Sequence, residues 1–230
     1  MHTMIILHHL ENSRSQRVLW LLEELGLPYE IRRYQRNPQT LQAPPALMAV
    51  HALGKSPVIT EGDITVAESG AIIEYLLDAH GAIHGDTQLR PAVGTAARRA
   101  FTYWLHFAEG SAMPFLLMKL VFDKVREAPV PFFVKPIVKG IAHKVMSGFV
   151  APNIERQMAF MEAELGRQPW FAGSEFTAAD IQMSYPVEAA AERGVLGSNS
   201  PKLSNWLLRI HARAAYRRAL EKGEPYSAVP

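Results

Sequence analysis

Four short segments carry side chains whose type and spacing can hold charge. The first, Glu11-Asn12-Ser13-Arg14-Ser15-Gln16-Arg17-Val18, joins an apolar run to a helical pattern. A hydroxyl there can donate to an anion, and the positive end of the helix adds to the same field. On spacing alone, Ser13 or Ser15 reads first as an N-cap. The second segment, Glu68-Ser69-Gly70-Ala71-Ile72-Ile73, opens another helix with an acid and a hydroxyl, which suits either an anion site or ordinary capping. The third, Gly54-Lys55-Ser56-Pro57-Val58-Ile59, puts a cation and a proline just ahead of a strand. In the fourth, Phe176-Thr177-Ala178-Ala179-Asp180-Ile181, Thr177 caps a helix and Asp180 reaches back to its amide. Phe176 and Ile181 then stand at the two ends of a hydrophobic staple.

Other chemistries find little support. Among the 230 residues there is no cysteine, which rules out disulfides, thiolate metal sites and a thiol nucleophile borne by the chain. His8 and His9 are strand neighbours that point to opposite faces, and Gly81 and Gly85 argue against a helix pairing His80 with His84. No metal is expected, and no glycine-rich phosphate loop is found. Residues 1–85 carry 6 Lys+Arg and 9 Asp+Glu, whereas residues 86–230 carry 18 and 13. The basic excess is dispersed over helical patterns, so no nucleic-acid partner is expected. No apolar stretch approaches the roughly 20 residues that span a bilayer, and no secretory signal opens the chain. A soluble cytoplasmic protein is the expectation.

The elements that must position these residues follow from periodicity. Met4–Leu7 suits a buried strand, and Val18, Leu21, Leu22 and Leu25 recur at helical spacing. Gly26 sits where a left-handed C-cap is wanted, with Pro28 beyond it. Tyr29–Tyr34 alternates as a strand, and a weaker helical stretch covers about 39–50. Val58–Thr60 and Ile64–Val66 make a hairpin, followed by a helix that ends near Gly81. This order gives an α/β unit in which the first two strands are parallel and the hairpin completes the sheet. Beyond the Gly- and Pro-punctuated link the chain reads as helical, over 92–122, 151–166, 178–193 and 202–222. Between Met113 and Pro152, five prolines interrupt apolar runs that include Phe132-Phe133. Those phenylalanines suit a lid or an interface ahead of a membrane-touching patch.

Taken in register along the whole chain, the four segments resemble the cytosolic glutathione S-transferases. The Leu19–Leu25 helix and Tyr103-Trp104 are similar to the serine-type bacterial and fungal branch. The resemblance implies a thioredoxin-like N-terminal domain over 1–82 and an all-α C-terminal domain over 90–230 that supplies the electrophile site. It implies a homodimer that takes glutathione as co-substrate and conjugates it to small hydrophobic electrophiles, with hydroperoxide reduction as a second activity. Ser13 becomes the residue stabilising the glutathione thiolate, with Asn12 and Ser15 as competitors. Pro57 resembles the family's cis-proline, which turns the Ser56 backbone toward the cysteinyl backbone of glutathione. Ser69 takes the γ-glutamyl carboxylate and Glu68 its ammonium, while Lys55, with His51 second, takes the glycyl carboxylate. Tyr103, His106 and Phe107 are candidates for the electrophile site, with core packing as the alternative. Two other functions stay open: a non-catalytic binding or scaffold protein of the same fold, and a glutathione-dependent isomerase or dehalogenase.

Overall fold

A computed structural model describes residues 3–40, 42–81, 89–197 and 199–223. The N-terminal part runs β1 (Ile5–Leu10), α1 (Ser15–Leu25), β2 (Tyr29–Tyr34), α2 (Pro45–Met48), β3 (Val58–Glu61), β4 (Ile64–Ala67) and α3 (Ser69–Ala79). The sheet order is β2-β1-β3-β4, with β1 parallel to β2 and antiparallel to β3. Ile5 pairs with Tyr29 and Leu7 with Ile31, while the β3–β4 hairpin closes on Glu61 opposite Ile64. This is the thioredoxin-like topology that the family resemblance implies.

Helix α1 is buried on nearly every side, because it packs against the sheet on one face and the helical domain on the other. It ends where expected: Gly26 adopts φ 63° and returns its amide to the Leu22 carbonyl. Such a left-handed residue costs an L side chain energy that glycine escapes. The helical stretch expected over 39–50 shrinks to Pro45–Met48. Pro44 disfavours helix for the residue before it, and Pro45 takes the first turn, where its missing N–H is harmless.

The second part is all-helical: α4 (Ala96–Phe107), α5 (Met113–Glu127), α6 (Lys135–Val145), α7 (Ala151–Arg167), α8 (Ala178–Glu192), α9 (Pro201–His211) and α10 (Ala214–Gly223). Single π-helical turns at Ala108–Ala112 and Met146–Val150 fuse α4 to α5 and α6 to α7. Each is followed at once by a helix with proline in its first two positions, Pro114 and Pro152. A widened turn accommodates a residue that lacks an N–H and crowds the carbonyl one turn back. Thus the prolines that look disruptive in sequence mark fused helices. Through the fusion, Ala96–Glu127 becomes one helix that is long and apolar enough, by length and composition alone, to cross a bilayer. Phe101, Trp104, Leu105, Met113 and Leu116 on that helix are buried in the protein's hydrophobic core.

The capping box forms as expected at α8. The Asp180 carboxylate accepts from the Thr177 amide at 3.0 Å, and also from the Phe171 amide and Trp206 Nε1, each at 3.0 Å. Burial pushes the Asp180 carboxyl up to about 6, against these donors, which favour the anion. The link at 82–88, with His84, Gly85 and the expected domain boundary at 82, lies outside the described residues.

Candidate functional site

A cleft of about 670 Å³ opens between the two parts of the molecule. The thioredoxin-like part contributes Ser13, Arg14, His51, Lys55, Ser56, Pro57, Glu68 and Ser69 to its walls, and the helical part contributes Glu109, Leu117 and Tyr185. Ser13, the His51–Ser56 stretch with Lys55, and the Glu68-Ser69 pair come from three separate segments of sequence, and the fold brings all six residues to one place. Tyr103, His106 and Phe107 are not among the lining residues. Tyr103 stacks on Phe107 and meets Phe160 edge-on, within an aromatic cluster that also holds Trp104 and Phe171. His106 is exposed elsewhere on α4.

Ser13 lies at the head of α1 but does not serve as its N-cap residue. That place is taken by Arg14, which makes no side-chain capping bond. The turn begins with Asn12 at φ 47°, a left-handed conformation that asparagine tolerates better than most residues. Ser13 is 5% exposed, and its Oγ accepts the Ser15 amide at 3.2 Å. The same oxygen stands 2.7 Å from Ser15 Oγ and 3.3 Å from Ser56 Oγ. Ser56 in turn donates to the His8 carbonyl at 3.0 Å and accepts from the Leu10 amide. The Ser56–Pro57 peptide bond is cis.

Across the cleft, Glu68 precedes α3 with φ 70°. A non-glycine residue held there stores about 1–3 kcal/mol, a cost that concentrates where backbone must be aimed at a ligand. Ser69 is buried, and its Oγ accepts from Arg17 Nη2 at 2.8 Å and from Gln182 Nε2 at 3.3 Å. Two incoming donors use the acceptor capacity of that hydroxyl and leave its proton for a third partner.

The helical wall carries a charged cluster that sequence reading did not anticipate. Glu109, on the first π-helical turn, takes both of its carboxylate oxygens to within 2.9 Å of Arg14 Nε. It also pairs with the buried Arg17, whose Nη1 donates to the Gln182 carbonyl at 2.6 Å. Burial alone would raise the Glu109 carboxyl; the charges and hydrogen bonds of Arg17 and Arg14 outweigh it and hold the group below its usual range. The Arg14 guanidinium lies 4.9 Å from the centre of the Tyr185 ring, a cation–π arrangement. Nothing local announced Glu109, Gln182 or Tyr185.

Comparison with known proteins then places the chain. Residues 2–78 match the family model described as glutathione S-transferase, N-terminal domain, and residues 144–214 match the corresponding C-terminal domain. The chain is 36% identical to glutathione S-transferase 3 of Schizosaccharomyces pombe, over 96% of this chain and 88% of that protein. Among solved structures, a glutathione S-transferase from Actinobacillus pleuropneumoniae is 30% identical and superposes with a TM-score of 0.75, covering 96% of this chain and 93% of that one. A glutathione transferase family member from Pseudomonas fluorescens, with two glutathione bound, is 27% identical with a TM-score of 0.72, covering 95% and 93%. The chain belongs to the glutathione S-transferase family.

Proposed function

We propose that this family member binds glutathione in the cleft, ionises its thiol at Ser13 and joins the sulfur to small apolar electrophiles. The observation that carries this reading is the gathering of Ser13, Ser56 and Ser69 with Lys55, His51 and Glu68 around one cleft. The glutathione bound to the Pseudomonas relative supports the choice of thiol.

The physics assigns each group a task. A free thiol ionises near pH 8.5, so the nucleophilic thiolate is scarce at neutral pH. A hydrogen bond from Ser13 to the sulfur favours the charged form, and the positive end of α1 acts in the same sense. A hydrogen bond to a charged group contributes about 1.5–3 kcal/mol. At about 1.4 kcal/mol per unit, that lowers the thiol pKa by roughly one to two units. On this reading, Ser69 gives its remaining proton to the γ-glutamyl carboxylate at the head of α3, beside Glu68 for the ammonium. The Ser56 backbone takes the cysteinyl part, and Lys55, seconded by His51, takes the glycyl carboxylate.

The electrophile enters against Leu117 and Tyr185, the part of the wall that meets Arg14. These two replace Tyr103, His106 and Phe107 as our assignment for the second-substrate end. The same thiolate suits organic hydroperoxides as a secondary substrate. We further assign the two domains to 1–82 and 90–230, and a homodimer of the cytoplasm as the working form.

A panel of aryl halides, epoxides and hydroperoxides, each offered with glutathione, tests the proposal. Thioether formation with at least one electrophile class is expected. Retention on immobilised glutathione without turnover of any member would leave a binding protein in place of an enzyme.

A further inference from the structure

The hydrogen-bond chain behind Ser13 ends on a base. Ser15 Oγ stands 2.9 Å from His9 Nδ1, and His9 Nε2 stands 3.1 Å from the Gly223 carbonyl of α10. A carbonyl oxygen only accepts, so Nε2 carries a proton and Nδ1 of the neutral ring is the acceptor. The Ser15 hydroxyl therefore donates to Nδ1, a shorter contact than its 3.3 Å approach to the Leu10 carbonyl. With that proton committed, Ser15 Oγ is the nearer of two acceptors for the Ser13 proton, at 2.7 Å against 3.3 Å for Ser56 Oγ, whose own proton goes to the His8 carbonyl. In this resting polarity, the Ser13 proton points inward, away from the cleft.

We propose that His9 is the internal acceptor of the glutathione thiol proton, reached through Ser13 and Ser15. The inference rests on the reading that Ser13 holds the thiolate. The S–H bond breaks and its proton forms a new O–H bond on Ser13. The former Ser13 proton moves to Ser15 Oγ, and the former Ser15 proton moves to His9 Nδ1. A neutral thiol and a neutral imidazole become a thiolate and an imidazolium, with no outside acceptor. The transfer reverses the whole chain: His9 donates to Ser15, Ser15 donates to Ser13, and Ser13 now donates to the sulfur. Moving the proton and presenting the stabilising hydroxyl are thus one event.

Three features of the structure favour this route. Ser15 is 0% and His9 5% exposed, so the path is sealed from bulk water. The other branch leaving Ser13 runs to Ser56 and stops on the His8 carbonyl, which has no basic nitrogen to keep a proton. Both donors of an imidazolium at His9 would find acceptors already in place, Ser15 Oγ and the Gly223 carbonyl, which offsets burying the charge. Among the described residues, Glu23 pairs with Arg218 and Lys222, and Arg33, opposite His9 in the sheet, donates to the Lys222 carbonyl. His9 and Ser15 act through Ser13 and are positioning residues, with Ser13 the one that meets the sulfur.

Proton counting tests the inference. The full-length protein is mixed with glutathione in weak buffer with an indicator dye, at a pH between the ordinary imidazole and thiol values. Thiolate absorbance and proton release are read on the same sample, and mixing with S-methylglutathione subtracts protons from other groups. The wild type should form thiolate with release close to zero protons per thiolate. His9→Asn, which keeps a polar group facing Ser15 but cannot hold the proton, should release close to one. Ser15→Ala, which cuts the chain between Ser13 and the ring, should do the same. Full release by the wild type, or withholding by both variants, would overturn the relay while leaving Ser13 as the thiolate residue. Failure of the wild type to form any thiolate would overturn both.

Discussion

Helices α1 and α8 open with the same chemistry, a hydroxyl before an apolar helix, and use it in opposite ways. At α8 every polar atom turns inward. Thr177 and Asp180 close a capping box, Asp180 is wholly buried, and its carboxylate also collects the Phe171 amide and the Trp206 indole. At α1 the N-cap position makes no side-chain capping bond, and Ser13 stands on the cleft with its oxygen shared among Ser15, Ser56 and the Ser15 amide. One start spends its polar groups on the fold; the other holds a hydroxyl where a ligand reaches it. The lesson is that a hydroxyl before a helix says little until its partners are known.

The comparison breaks most visibly at Asp180. Asp180→Ala leaves several buried donors without an acceptor, each costing about 1–3 kcal/mol. We expect a loss of at least about 3 kcal/mol, a fall in thermal midpoint of roughly 6–12 °C, and unchanged turnover in the fraction that remains folded. An unaltered midpoint would remove α8 from the structural side of the contrast. At α1 the pattern inverts: Ser13→Ala should cut conjugation about 10–100-fold, the equivalent of one charge-assisted hydrogen bond, with little change in thermal midpoint. A third helix start sharpens the distinction. Ser69→Ala at α3 should weaken glutathione binding by about tenfold while sparing the turnover of saturated enzyme. Equal binding by titration calorimetry would disconnect Ser69 from the ligand.

The smallest effect concerns the seam between α1 and α10. Burial raises the Glu23 carboxyl, but hydrogen bonds from Lys222, Tyr29 and Arg218 overcome it and hold the group at about 2, below its ordinary 4.5. As pH falls the unfolded chain takes up this proton first. The contribution of Glu23 is therefore complete above pH 4.5 and is lost progressively as pH drops toward 2. Denaturant midpoints measured across that window should fall more steeply for the wild type than for Glu23→Gln; parallel curves would contradict the assignment.

What sequence made legible was local. Gly26, the α8 capping box and the hairpin turn each depend on residues a few positions apart, and each forms as read. The six glutathione-site candidates could be named because each sits in a short segment that resembles the family. What escaped depends on distance along the chain. Arg17 meets Gln182 165 residues away and Glu109 92 residues away, and no local pattern distinguishes it from an exposed helix charge. Tyr103 and Phe107 look the same whether they line a ligand or fill a core, and here they pack with Trp104 and Phe160. The fusion of α4 to α5 and of α6 to α7 escaped because a π-helical turn has no sequence signature of its own.

The central claim is that the hydroxyl of Ser13 holds the sulfur of glutathione as an anion. It is tested most directly by titrating the thiolate absorbance of bound glutathione against pH, in the wild type and in Ser13→Ala. We predict a bound thiol pKa roughly one to two units below that of free glutathione in the wild type, returning most of the way in the variant. Identical titration curves for the two proteins would contradict it.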